Sequence, residues 1–541
     1  MALPALFPHQ SSRRPVLFGR RPAPRRPPFG PATRGYPVPG GGYGSLVDLP
    51  PEFRGSSRQV CGLWPFASGS GAPLAGAPLG QHLLTGQVVG LDHITAFEAG
   101  LLPNPSVYFM SNPALGKSTA VGKMCLWLAY RGVSNMTLGD VKGEHVLRTR
   151  RMGGKVNRLG NGRGYLNPLD PGASAQAAGR LTGSLRAEVA RGAHEQRKAL
   201  MLALITVSRE ANPTEQEDLI LGRALEILAD RHDGVPLVRD LDRLIEEAPE
   251  DLRSVVLDRG DIARYQDATD ALRTSLIGIA TGSGPLGDMF SKHTTEALDM
   301  RRSVVFDLSA LPDTQPQKQA AGLLACWSVG FEAVNTAQVL ADAGLEPRRN
   351  YNIVLDEFWR ALRVGRGIVD KADSLTRLNR NEGVGQMMIS HTLKDFDAVA
   401  DEADRAKAKG FVERCAMVVL GGLGAKELTE VEHFRRLTRE EKRRVESWAD
   451  VKKITTSQHG RTAPYGRGKF LIKLGMAPGI PVQMKLTGVE DAISDTNTRW
   501  ENLRKQGAST EEIEREIFGD QPDPATHNFG DEPDAAARNG E

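Results

Sequence analysis

The chain has 541 residues, 40% of them hydrophobic and 25% charged, enough to bury a substantial core divided among about two to four domains. Its net charge of +3 is too mild to demand a nucleic acid as partner, because neutralising many phosphates takes concentrated Lys and Arg rather than a slight global excess. Cys61, Cys125, Cys326 and Cys415 stand far apart with no C-x-x-C or His pairing, which argues against a zinc site or a disulfide framework and fits a reducing cytoplasm.

Residues 1–58 are rich in Pro, Gly and Arg, with arginine pairs at 13–14, 20–21 and 25–26 and no acidic residue before Asp48. Such a segment cannot bury enough apolar surface to offset its ordering entropy, so a disordered tail is expected. It has two readings, contact with anionic lipid or nucleic acid and solvated disorder without a ligand. Pro and Arg interrupt it throughout, leaving no continuous apolar stretch for a signal peptide. Residues 59–105 alternate short apolar runs with Gly and Pro, as in Leu83-Leu84-Thr85-Gly86 and Val88-Val89-Gly90-Leu91-Asp92. This reads as a small β lead-in packed on the edge of a larger sheet.

The strongest signal follows. An apolar run, Val107-Tyr108-Phe109-Met110, leads into Ser111-Asn112-Pro113-Ala114-Leu115-Gly116-Lys117-Ser118-Thr119 and then into a helical stretch carrying Met124, Leu126, Trp127 and Leu128. A strand, a Gly-Lys-Ser loop and a helix in that order make a phosphate-binding loop. Backbone N–H groups at the helix N-terminus can hold phosphates, Lys117 can reach the β- and γ-phosphates, and Ser118 can hold Mg²⁺. The loop is imperfect, since Ser111 stands where G-x-x-x-x-G-K-[ST] has glycine and Ala114 replaces a frequent second glycine. Both replacements are small, so the loop is expected to be slightly strained with Lys117 and the hydroxyl intact.

Residues 106–172 form the first α/β unit, with strand-like text at 137–140 and 155–160 and a close at Asn167-Pro168-Leu169-Asp170. From 173 to 300 the periodicity turns helical. Thr214-x-x-Glu217 is a capping box opening a stretch whose Ile220, Ala224, Ile227 and Leu228 share a face, and Arg239–Leu252 and Ile262–Ile279 read as further amphipathic helices. This is read as an all-helical insertion whose apolar stripes are core. Residues 301–500 resume the sheet with Val304-Val305-Phe306 and continue to Asn352-Ile353-Val354-Leu355-Asp356-Glu357. An apolar, β-branched run ending in two carboxylates reads as a buried parallel strand that delivers Asp356 to a Mg²⁺ shell and Glu357 to an attacking water. Together with Lys117, this pair is a signal for ATP hydrolysis. Two more apolar strands, 386–390 and 417–420, follow, and their ends should converge on the nucleotide. His391 therefore has two equal readings, a γ-phosphate sensor and a satisfied residue at a strand end. The apolar runs, such as 199–207 and 320–327, fall well short of the roughly 20 residues that span a bilayer, so membrane association is expected to be peripheral. Residues 501–541 read as an acidic mobile tail with a short helix opened by Ser509-x-x-Glu512.

The order of these elements resembles the TraC-like ATPases of conjugative type IV secretion systems, the fourth VirB component, within the wider FtsK and HerA group. The matching text spans roughly residues 75–500 and includes Gly100-Leu101-Leu102-Pro103-Asn104-Pro105, Asp140-x-Lys142-Gly143-Glu144, Asn167-Pro168-Leu169-Asp170, Val305-Phe306-Asp307-Leu308-Ser309, Asp356-Glu357-Phe358-Trp359 and Gly475-x-x-Pro478-Gly479-x-Pro481-Val482. The resemblance implies an α/β, RecA-like P-loop NTPase with a mostly parallel central sheet. It further implies a homo-hexamer at the cytoplasmic face of an envelope-spanning channel, spending Mg-ATP on pilus assembly or on moving DNA or protein cargo beside secretion-channel and coupling proteins. By motif, Lys117, Ser118, Asp356 and Glu357 keep their roles, and His391 replaces the family's usual Gln after the sensor strand. Arg377 and Arg380 fall in text resembling the arginine motif, with a trans-acting contact to a neighbour's γ-phosphate and a solvated helix face equally open. A DNA-pumping coupling ATPase and a nucleotide-binding scaffold with little hydrolysis stand as alternatives.

Overall fold

The structure, a computed structural model, describes residues 72–362, 369–370, 372–373, 384–393, 402–450, 454–456 and 462–494. The tails at 1–58 and 501–541, the Ser509 capping box, Arg377 and Arg380 lie outside the described residues. The described elements belong to one compact unit, Ser68–Glu541.

A sheet of twelve strands, counted among the described residues, organises that unit. In chain order its strands are β1 (Leu74–Ala75), β2 (Pro78–His82), β3 (Val88–Leu91), β4 (Ser106–Met110), β5 (Ser134–Asp140), β6 (Lys155–Arg158), β7 (Val304–Asp307), β8 (Tyr351–Asp356), β9 (Val384–Ser390), β10 (Met417–Leu420), β13 (Lys469–Leu474) and β14 (Ile480–Met484). A separate two-stranded ribbon pairs β11 (Ile454–Thr456) with β12 (Thr462–Pro464). Across the large sheet the order is β1-β3-β2-β14-β13-β10-β4-β9-β8-β5-β7-β6. From β10 to β6 every pairing is parallel, whereas β13, β14, β2 and β3 continue the sheet in antiparallel fashion.

The central parallel strands β4, β8 and β10 are buried along almost their whole length and are mostly apolar, as strands covered on both faces require. Along β4, Val107 and Phe109 pack into the core beneath the helix Lys117–Tyr130, while Tyr108 and Met110 face the larger core shared with the helical layers. The alternation repeats in β8, where Val354 joins the first core and Ile353 and Leu355 the second. Each such side chain, fully removed from water, contributes about 1.5–3 kcal/mol. The lead-in strands join the sheet through β2, which pairs with β14 from some 400 residues later.

Residues 172–281 are helical, in segments Gly172–Arg180, Gly183–Arg209, Glu215–Arg231, Val238–Glu247, Glu250–Val256 and Ile262–Thr281. The Thr214 capping box is formed, with the Glu217 N–H donating to Thr214 Oγ1 at 3.2 Å and the Thr214 N–H to Glu217 Oε2 at 2.8 Å. One expectation is corrected here. The helix read over Arg239–Leu252 is two helices, broken where Ala248 takes φ 51° and Pro249 cannot continue the backbone bonding.

Candidate nucleotide site

The carboxyl ends of β4, β9, β8 and β5 lie side by side, so the groups that follow each strand converge at one edge of the sheet. β4 delivers the loop 111–116. It is held laterally, with the Gly421 N–H donating to Met110 O at 2.8 Å, Asn112 N–H to Gly422 O at 3.1 Å and Gly468 N–H to Leu115 O at 2.9 Å. Gly116 starts the helix at φ 92°, a conformation a side chain would strain. Ala114 sits at φ 64° and carries that strain, as its replacement of glycine implies. Ser111 and Leu115 are buried, Asn112 and Ser118 half-buried, and Pro113 and Ala114 exposed.

Lys117, buried at the helix start, reaches across to β9. Its ammonium donates to Ser390 O at 3.0 Å and lies 3.1 Å from His391 Nδ1. An ammonium only donates, so Nδ1 accepts from Lys117, while Nε2 faces both the Lys142 ammonium, at 3.2 Å, and a carboxylate. That Nε2 stands 2.9 Å from Glu357 Oε1. One imidazole thus touches both the loop lysine and the second carboxylate of the acidic pair. Burial lowers the Lys117 pKa, and the Asp356 and Glu357 carboxylates offset only part of that.

Glu357 follows β8 at φ 50°, a left-handed conformation costly for a side-chain-bearing residue and typical of strained functional turns. Its Oε1 also pairs with Lys142 Nζ at 2.5 Å, and its Oε2 accepts from Trp359 Nε1 at 2.6 Å. Burial pushes this carboxyl up, but the His391 hydrogen bond and the Lys142 ammonium win and hold it far below the usual carboxylate range.

Asp356 is held from the other side. Its Oδ1 accepts from the Glu357 N–H at 2.9 Å and its Oδ2 from His145 Nε2 at 3.0 Å. Arg148 Nη1 lies 3.2 Å from His145 Nδ1, and Arg148 Nη2 donates to Ser118 O at 3.2 Å, closing a chain from the Lys117–Tyr130 helix to the Asp356 carboxylate. Asp140 anchors this turn by accepting from the N–H groups of Lys142, Glu144 and His145. Burial opposes the charge on His145, yet the bond to Asp356 and the Asp140 charge raise its pKa overall; Asp356 is lowered in turn. The donor set suits Mg²⁺, which takes hard oxygens and is bound through one or two carboxylates plus substrate phosphates. Asp356 and the Ser118 hydroxyl supply such oxygens, with His145 orienting the carboxylate from behind.

Lys142, His145 and Arg148 were not among the site residues expected from sequence. They follow β5, which pairs with β8, so their signal was the polar run Asp140-Val141-Lys142-Gly143-Glu144-His145 at a strand end.

No protein-family model matches the chain, and no curated protein does. Among solved structures, VirB4 of Thermoanaerobacter pseudethanolicus aligns at TM-score 0.54 and 17% identity, covering 77% of this chain and 98% of that one. The chain shares the VirB4 fold. The plasmid coupling protein TrwB also matches, in complex with the non-hydrolysable GTP analogue GDPNP (14% identity, TM-score 0.44, 77% of this chain and 97% of that one) and with ADP and Mg²⁺ (12%, 0.45, 78% and 98%). The likeness to VirB4 is one of fold, α/β with a mostly parallel sheet in this chain, where the loop 111–116 joins β4 to the helix Lys117–Tyr130. Among the described residues no helix is long and apolar enough to cross a membrane.

Proposed function

We propose that this chain is a Mg-ATP hydrolase of the type IV secretion and conjugation class, working as a homo-hexamer peripheral to the inner face of the cell membrane and powering pilus assembly or cargo transfer. The observation that supports it most is the shared contact of Lys117 and Glu357 with His391, which brings the phosphate-loop cation and the acidic pair to one point. In this reading residues 111–119 cradle the phosphates and Lys117 neutralises charge developing on the γ-phosphate. Mg²⁺, when bound by Ser118 and Asp356, supplies further charge neutralisation. Glu357 orients and deprotonates the attacking water, and His391 senses the γ-phosphate. Arg377 or Arg380 would act on a neighbour's nucleotide. Docking to secretion-channel and coupling proteins, and DNA or protein as cargo, belong to the same proposal.

Phosphate release should be lost in Lys117→Ala through weakened ATP binding and in Glu357→Gln with binding retained, and size measurement with and without Mg-ATP should show oligomers. Turnover by Glu357→Gln at the parental rate would remove the general base from this scheme. A low-turnover scaffold has one observation in its favour, since Lys142, His391 and Trp359 already engage both Glu357 oxygens. Tight ATP binding by the assembled oligomer without phosphate release would select it. ATPase activity strongly stimulated by DNA would select the coupling-ATPase alternative.

A further inference from the structure

A cleft of about 180 Å³ opens beside the phosphate loop, between Thr119 and Ala120 on the loop helix and Gln483, Met484 and Leu486 at the end of β14. Both walls are tied to the loop. The turn before β13 hangs on it through the Gly468 N–H to Leu115 O bond of 2.9 Å, and Met484 N–H donates to Gly468 O at 2.7 Å. The short helix Gly488–Ser494, which contributes Asp491 to the rim, is fastened to the loop helix by the Lys123–Glu490 ion pair at 2.7 Å, with Lys123 only 4% exposed.

The sheet order gives this cleft its meaning. β4 has β9 and β8 on one side, where Lys117, His391 and Glu357 meet, and β10, β13 and β14 on the other, where the cleft lies. A ligand whose terminal phosphate rests between Lys117 and Glu357, and whose remaining phosphates follow the loop, points its far end toward the β13–β14 side. The volume is below the about 300–1,000 Å³ of whole small-molecule sites, so the cleft takes one end of a ligand rather than all of it.

We propose that this cleft is the nucleobase subsite and that Gln483 selects adenine over guanine there. The inference rests on the nucleotide reading above and adds the base and its selector. Gln483 Nε2 faces three carbonyl oxygens, those of Arg467 at 3.4 Å and of Gly468 and Met484 at 3.3 Å each. Carbonyls only accept, so the amide cannot flip without opposing oxygen to oxygen, and Oε1 remains as its acceptor. An exocyclic amino group donates to that oxygen, whereas the guanine carbonyl at the same ring position is repelled by it. Leu486, exposed at the cleft, offers apolar surface that a flat heterocycle covers, with the buried Met484 beside it.

The test measures binding of ATP, GTP and inorganic tripolyphosphate to the full chain with Mg²⁺. ATP should bind about tenfold more tightly than GTP. Gln483→Ala should collapse that ratio toward one by weakening ATP, and Leu486→Trp, which puts bulk at the cleft, should weaken both nucleotides together. Tripolyphosphate should bind both variants within twofold of the parent. An ATP-to-GTP ratio unchanged in Gln483→Ala, or both nucleotides unaffected by Leu486→Trp, overturns the subsite and leaves the phosphate loop standing. Failure of the parent chain to bind any of the three ligands overturns the nucleotide reading and the subsite with it.

Discussion

Gly122 sits one turn into the phosphate-loop helix, directly against the Arg148 guanidinium, and the site depends on that closeness. A Cβ at position 122 would fall within 3.0 Å of three guanidinium atoms, nearer than real Cβ contacts come. Arg148 is buried and holds both Ser118 O and His145 Nδ1, so its head group has no free path by which to yield. Gly122→Ala should therefore cost one or both of those hydrogen bonds. Bonds from a charged donor contribute about 1.5–3 kcal/mol each, which puts the loss near 3 kcal/mol, with the gain in helix propensity returning about 1 kcal/mol. Equilibrium unfolding should show a net loss of about 2 kcal/mol. A double-variant cycle isolates the cause, because Arg148→Met removes the obstruction and Gly122→Ala added to it should cost nothing further. Strict additivity of the two changes, or a single Gly122→Ala variant as stable as its parent, would refute the claim that Arg148 is pinned over that glycine.

Three further outcomes follow from the same contacts. Lys142→Met leaves Glu357 with His391 and Trp359; because Lys142 is more than a third exposed, solvent screening limits the stability loss to about 1 kcal/mol by urea titration, and Lys142→Arg should recover most of it. Ala114→Gly relieves a left-handed alanine and should raise stability by about 0.5–1 kcal/mol in the same titration, the relief exceeding the added chain entropy. Glu332, on the helix Pro316–Asp342, is pushed up to about 7 by burial, and its Oε1 is enclosed with no hydrogen-bond partner among the described residues. A carboxyl whose folded pKa exceeds its unfolded value binds more protons in the native state. Stability from this group is thus present below about pH 4.5 and lost as pH rises through 7, by about 2 kcal/mol, and Glu332→Gln should flatten melts compared between pH 5 and 7.5 by that amount.

What was legible in the sequence was what repeats or what has obligatory chemistry. The apolar runs at 107–110, 352–356, 386–390 and 417–420 read as strands buried on both faces, and as β4, β8, β9 and β10 they lie together in the parallel part of the sheet. Gly-Lys-Ser after the first and Asp-Glu after the second mark two groups that the fold brings to a single imidazole. Strand partnership was not legible, because period-2 alternation says which face a residue covers and nothing about its neighbour. Hence the lead-in could be placed at an edge, while its pairing through β14 could not. The apolar spacing runs on across Ala248-Pro249, although the proline has no N–H with which to continue the helix.

The charged groups behind the acidic pair were hidden for a different reason. In sequence, Lys142, His145 and Arg148 look like an ordinary solvated run, since side chains of these types are mostly exposed. Only the pairing of β5 with β8 shows that the run ends beneath Asp356 and Glu357, where an unpaired carboxylate would pay heavily for burial. Two buried carboxylates at one strand end therefore imply cations from the neighbouring strand end as surely as they imply a metal. Here Lys142 meets Glu357 and the Arg148–His145 chain meets Asp356, each from the β5 end. The two acids differ in how they are held: Asp356 through His145 and Arg148, both buried, and Glu357 by Lys142, which is more than a third exposed.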